Sequence, residues 1–136
     1  MLEENKRLVL RYYEVVAGNL AGIEDVVTDE FVDHHFPPDL PPGPSGVRQF
    51  FLEFIPGFFS GLRIEIDFLL AEGDRVDCHF VAFFKHTGEF AGVAPTGREI
   101  RVPAISTFRI ADGQLAEAWE IYDSGAMLAQ MQGESG

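Results

Sequence analysis

The chain has 136 residues, with 22 acids against 10 bases, a formal net charge of −12, 46% hydrophobic content and 13 phenylalanines. That length suits one domain spanning 1–136, with a core over about 3–131, and the apolar and aromatic content argues against disorder. Sparse, scattered Lys and Arg disfavour nucleic acid and anionic membranes. The lone Cys78 excludes an internal disulfide, and no apolar run approaches a secretory signal or a membrane span, so a cytoplasmic protein is the expectation.

In chain order, Glu3 to Ala17 predicts a helix: Leu8, Val9, Tyr12, Tyr13 and Val16 recur at helical spacing, and Gly18 and Asn19 stop it. A short second helix carries Ile23, Val26 and Val27, and a brief extended segment, Phe31 to Phe36, follows. Pro37 to Pro44 holds five prolines in eight residues, which no helix interior tolerates; it reads as a stiff surface loop. Ser45 is the expected N-cap of a third helix, in which Val47, Phe50, Phe51, Phe54, Ile55 and Phe58 form one apolar face that Pro56 kinks or ends.

After Gly61 the period becomes two. Leu62, Ile64, Ile66, Phe68 and Leu70 share one face of a strand, and Glu72-Gly73-Asp74 turns the chain. Val76, Cys78, Phe80, Ala82 and Phe84 line one face of the next strand, opposite Asp77, His79, Val81, Phe83 and Lys85. A glycine-rich loop, 87–97, leads to a strand over 98–110. Asp112-Gly113 marks a hairpin, and a last strand runs over 114–123. Ser124 to Met131 suits a final helical turn or two, and the last residues are expected to fray. Helices first and an antiparallel meander afterwards predict an α+β cone. About three N-terminal helices would pack on the concave face of a curved sheet and enclose a pocket.

On the last strand Leu115, Glu117, Trp119, Ile121 and Asp123 alternate with Gln114, Ala116, Ala118, Glu120 and Tyr122. The first set is the more apolar and is expected to face inward, carrying two carboxylates. Burial raises a carboxyl pKa, which suits a general acid or base. For Glu117 a structural pairing with Arg101 or Arg109 is the favoured alternative. Asp123 stands at the strand end, where a pocket would open, and either does chemistry or caps the strand or helix. His34 and His35 are adjacent on extended backbone, so one faces in and one out. No metal site is expected, because Asp77, His79 and His86 do not converge, and Cys78 reads as core. The phenylalanines of the third helix would wall a pocket suited to a flat apolar ligand.

Several segments together resemble the SnoaL-like polyketide cyclase family, within the nuclear-transport-factor-like superfamily. They are Asn5-Lys-Arg-Leu-Val-Leu-Arg-Tyr-Tyr-Glu, Phe31-Val-Asp-His34, Gly46-Val-Arg-Gln-Phe, Ala71-Glu-Gly-Asp-Arg-Val, His86-Thr-Gly-Glu-Phe with Pro95-Thr-Gly, and Phe108-Arg-Ile-Ala-Asp-Gly-Gln-Leu-Ala-Glu-Ala-Trp119. The resemblance implies intramolecular aldol ring closure without metal or cofactor. It implies Asp123 as the acid/base residue, His34 as the inward histidine lining the pocket, and Tyr13 as a pocket aromatic. The family's second pocket histidine, before the hairpin, has no counterpart in Ser106-Thr-Phe-Arg-Ile.

Asp123 and His34 are therefore the expected catalytic residues, with Tyr13, Trp119, Phe54, Phe58, Phe80 and Phe84 binding a small apolar carbonyl compound. A cyclase or an isomerase fits these parts; a binding or interaction module without chemistry is the alternative. The outer sheet face, with Val81, Phe83 and Ile105, predicts a homodimer through the sheet.

Overall fold

The computed structural model describes residues 1–133. Residues 134–136, where fraying was expected, lie outside the described residues. Helix α1 spans Leu2–Ala17 and buries Val9, Tyr12, Tyr13 and Val16 of the stripe its spacing predicts, with Val15 in addition, while Leu8 is half-buried. A single turn, α2 (Ile23–Val26), runs directly into strand β1 (Val27–Asp33).

Helix α3 begins earlier than Ser45 predicts. It covers Gly43–Gln49 with Pro42 at the N-cap and Pro44 in the first turn, where a missing N–H costs no hydrogen bond. Gly43 has φ +78°, and a Cβ there would lie 2.4 Å from the Asp29 carbonyl oxygen, so the packing of this turn on β1 requires glycine. Beyond Gln49 the helix widens into a π-helical turn, Phe50–Phe54, then tightens into a 3₁₀ turn, Ile55–Gly57, where Pro56 ends it.

Four strands follow as a meander: β2 (Phe59–Glu72), β3 (Arg75–His86), β4 (Glu99–Ala111) and β5 (Gln114–Tyr122). The sheet order is β1-β5-β4-β3-β2. The wholly antiparallel sheet expected is corrected at one edge, because the segment before the proline loop pairs with β5 in parallel. Residues 34–113 separate the two, which allows the long connection that parallel pairing needs.

Two bulges redirect the faces. Between the pairs Ile66↔Phe80 and Phe68↔His79, β2 has one extra residue, Asp67. Phe68 and Leu70, expected inside, are therefore exposed (49% and 59%), whereas Leu69 and Ala71 pack on the core. Between Arg109↔Glu117 and Ile110↔Leu115, β5 likewise carries Ala116 in excess. Of the five β5 positions expected to face inward, only Leu115, which precedes the bulge, is buried. Past Ala116, Ala118, Glu120 and Tyr122 turn to the concave side, and Glu117, Trp119 and Ile121 turn away.

The main core lies between α1 and the sheet. Tyr12 and Tyr13 meet Phe108 edge-on at 5.3 and 5.9 Å, and Tyr13 meets Phe80 at 4.9 Å. A second cluster forms where helix α4 (Ser124–Met131) lays Met127 and Met131 against Ile100, Val102 and Phe59. There β5 has ended, and Gln130 takes over as a strand partner. Its amide donates to the Arg101 carbonyl (2.7 Å), and its oxygen accepts from the Arg101 N–H (2.9 Å).

On the outer face, Val81 is buried and the Arg63 guanidinium lies 4.0 Å over the Phe83 ring, so neither is the open apolar surface expected. Ile105 is exposed as expected, at 42%, and so is its cross-strand partner Ile121, at 78%. Among the described residues, no helix is long and apolar enough to cross a membrane.

Candidate active site

The concave sheet, α1, the widened end of α3 and α4 enclose a cavity of about 500 Å³. The rings of Phe36, Phe50 and Phe54 form one wall as a parallel stack, with centroids 4.1 and 5.5 Å apart. The π-helical turn places Phe50 and Phe54 in this stack. Phe80 and Phe84 from β3 line the cavity as well, and so do Phe58 and Tyr13. At the rim Phe90 packs on Phe58 and Phe59 at 5.3 and 5.2 Å. Its loop is tied down by Thr87 and Gly88, whose N–H groups both donate to the Phe58 carbonyl.

Apart from Tyr13, His35, Glu120 and Tyr122, the lining is apolar. His35 Nε2 lies 3.1 Å from Glu120 Oε2. Ser106, buried on β4, donates its hydroxyl to Glu120 Oε1 (3.1 Å). Asp33 lies behind the imidazole: its Oδ1 accepts the His35 backbone N–H (3.0 Å) and stands 3.7 Å from Nδ1. Burial raises the Glu120 pKa; His35 opposes that, Asp33 adds to it, and the Ser106 hydrogen bond opposes it, leaving a net rise. For His35 burial acts to lower the pKa, but Asp33 and Glu120 outweigh it, and the net shift is upward. The Tyr13 hydroxyl is buried without a hydrogen-bond partner among the described residues, and burial raises its pKa well above 10. The hydroxyl is thus protonated, with Ser106 nearby acting to lower its pKa, and it is too deeply buried to be reached from the cavity.

The two residues expected to be catalytic lie elsewhere. His34 is on the convex side, stacked on Trp119 at 5.3 Å with Nε2 2.6 Å from Glu117. Arg109 holds the other Glu117 oxygen at 3.0 Å, the structural pairing favoured from sequence. The His34 hydrogen bond, then the Arg109 hydrogen bond, lower the Glu117 pKa. Trp119 lies outside the cavity, under the Arg75 guanidinium. Asp123 sits between two cavity residues, Tyr122 and Met127, but its carboxylate caps α4, accepting from the Ala126 N–H at 2.9 Å. The Ala116 bulge displaced Trp119 and Asp123 from the inner face.

The expectation that His34 faces inward and His35 outward is also corrected. On β1 Phe31 is buried and Val32 is 43% exposed, and continuing that alternation puts Asp33 and His35 inside. That parity was readable from Phe31. Glu120 carried no such signal, because the bulge is invisible in the alternation. Cys78 is core, and burial pushes its thiol up to about 12. Among the described residues, no group of three or more His, Cys, Asp or Glu side chains is placed to hold a metal ion.

Comparison with known proteins agrees with the fold. The SnoaL-like polyketide cyclase family profile matches residues 6–131. No curated protein matches the chain. Among solved structures, the chain is similar to IdmH from Streptomyces antibioticus, a candidate polyketide cyclase. The identity is 28% and the TM-score 0.78, over 94% of this chain and 98% of that one. A candidate polyketide cyclase from Acidithiobacillus ferrooxidans shares the fold at 17% identity, with a TM-score of 0.81 over 97% and 96% of the two chains. So does AclR from Streptomyces galilaeus, a candidate hydroxylase, at 24% identity and a TM-score of 0.72 over 98% of each chain. Neighbours on one scaffold are thus named for different chemistries, and the site residues must decide between them. With the family profile covering nearly its whole length, the chain belongs to the SnoaL-like polyketide cyclase family.

Proposed function

We propose that this protein performs acid/base catalysis with its own side chains on a neutral, flat carbonyl compound of polyketide type, as an aldol-type cyclase or an isomerase. The observation that carries the reading is the His35–Glu120 pair, 3.1 Å apart in an otherwise largely apolar cavity. Glu120 is the base. Its carboxylate takes a proton from carbon next to a carbonyl, and the raised pKa that burial confers brings its basicity toward the working pH. The electron pair moves into an enolate whose oxygen is met by the His35 Nε2–H beside the base. In ring closure the enolate carbon attacks a second carbonyl of the same molecule, a carbon–carbon bond forms, and the new alkoxide takes the proton back from Glu120. In isomerisation Glu120 returns the proton to a different carbon. No net proton is consumed in either case.

The roles expected of Asp123 and His34 pass, in this reading, to Glu120 and His35. Deuterium uptake from D₂O at the carbon beside the carbonyl of β-tetralone, a flat bicyclic ketone, tests the proposal without knowledge of the natural substrate. The wild type is expected to accelerate uptake over buffer and Glu120→Gln to lose about 10²-fold or more of that acceleration. Binding of the ketone with no acceleration by the wild type would leave a ligand-binding module instead.

A further inference from the structure

Asp33 is not part of the cavity wall, yet its side chain is only 7% exposed. A carboxylate that deep costs free energy unless something offsets it. Two contacts do so, and both involve His35: a hydrogen bond from the backbone N–H at 3.0 Å, and Nδ1 at 3.7 Å, within ion-pair reach although Nδ1 makes no hydrogen bond among the described residues. The first closes a tight turn just after β1 and fixes where the imidazole starts. The second places a negative charge behind the ring, on the side away from Glu120. The imidazole is thus held between two carboxylates.

The other groups around it do not compete. From the π-helical turn only the Phe50 ring reaches it, from β5 the Tyr122 ring accompanies Glu120, and Phe36 follows it in the chain. On α1, Tyr12 and Tyr13 sense the Asp33 and Glu120 charges but stay protonated, since burial raises both well above 10. On β4, Ser106 bonds Glu120 and is neutral.

We infer that Asp33 is a positioning residue: it keeps His35 protonated and turned toward Glu120, so that a hydrogen-bond donor stands beside the base. The inference rests on the Glu120–His35 reading for its role in turnover, but its physical content can be measured without turnover. In Asp33→Asn the side-chain oxygen still accepts the His35 N–H and only the charge is lost. The His35 imidazole, followed by NMR and assigned with His35→Gln, is expected to deprotonate at lower pH in Asp33→Asn than in the wild type. β-Tetralone deuterium exchange at the wild-type pH optimum is expected to fall roughly tenfold or more, as for other carboxylates that orient a working histidine, and KM to change little. Should Asp33→Asn fold poorly, Asp33→Ser keeps an acceptor for the turn and carries no charge. An unchanged His35 titration in a folded variant overturns the inference whatever the activity. Undiminished exchange in Glu120→Gln instead overturns the catalytic reading, and leaves the titration result standing by itself.

Discussion

His35 and Glu120 come from opposite ends of the chain and meet at 3.1 Å because β1 pairs in parallel with β5. His34, one residue away, is on the other side of the sheet, stacked on Trp119. The two histidines therefore predict opposite phenotypes. His35→Gln is expected to lower exchange by about 10²-fold, whereas His34→Gln leaves it near wild type. Rate measurements on both variants check this; equal losses would contradict the assignment of the inward histidine.

The acidic side of the stability profile depends on the convex face. His34 and Arg109 hold the Glu117 carboxyl below its ordinary value of 4.5. Their stabilisation is complete above that value and is lost as pH falls through the lowered folded value. Removing Arg109 by Arg109→Gln is expected to raise the Glu117 titration midpoint, followed by carboxyl carbon NMR, and to flatten the loss of stability in acid.

The loop that carries Phe90 is pinned by a close approach of two backbones. A Cβ on Gly88 would lie 1.9 Å from the Gly57 carbonyl oxygen. Gly88→Ala is expected to cost ~1–3 kcal/mol in denaturant unfolding and to weaken ketone binding, because Phe90 leaves the cavity rim. Unchanged stability would mean that the loop moves freely without the Phe58 contacts.

The convex face also bears on assembly. Ile105 and Ile121 lie opposite each other and are exposed, one of them at 78%. We propose that a second copy covers them. Light scattering is expected to give a dimer for the wild type and a monomer for Ile121→Asp; a monomeric wild type at micromolar concentration would remove the proposal.

Much of this fold is legible in the residues, and the failures on β2 and β5 have one cause. The α1 stripe, the change of period after Gly61, the Asp112-Gly113 hairpin and the inner face of β3 all follow from local periodicity, and the structure keeps them. The faces of β2 and β5 were read correctly up to Asp67 and Ala116 and wrongly beyond them. A bulge adds one residue to one strand, so alternation carried through it inverts every later side chain. Asp123 and Trp119 were thus assigned to the cavity, and Glu120 and Tyr122 to the outside. The parallel β1–β5 pairing joins remote segments and leaves no local signal.

Which carboxylate works, Glu120 or Asp123, is decided by one paired measurement. Asp123→Asn preserves the cap on α4, since Asn caps as well as Asp, so it should unfold within a few tenths of a kcal/mol of wild type, whereas Asp123→Ala should lose ~1 kcal/mol. With folding thus controlled, β-tetralone deuterium exchange is compared between Glu120→Gln and Asp123→Asn. The predicted result is a loss of about 10²-fold or more for Glu120→Gln and near-wild-type exchange for Asp123→Asn. Full exchange in Glu120→Gln with a collapse in Asp123→Asn would contradict the account and return the acid/base role to the helix-capping aspartate.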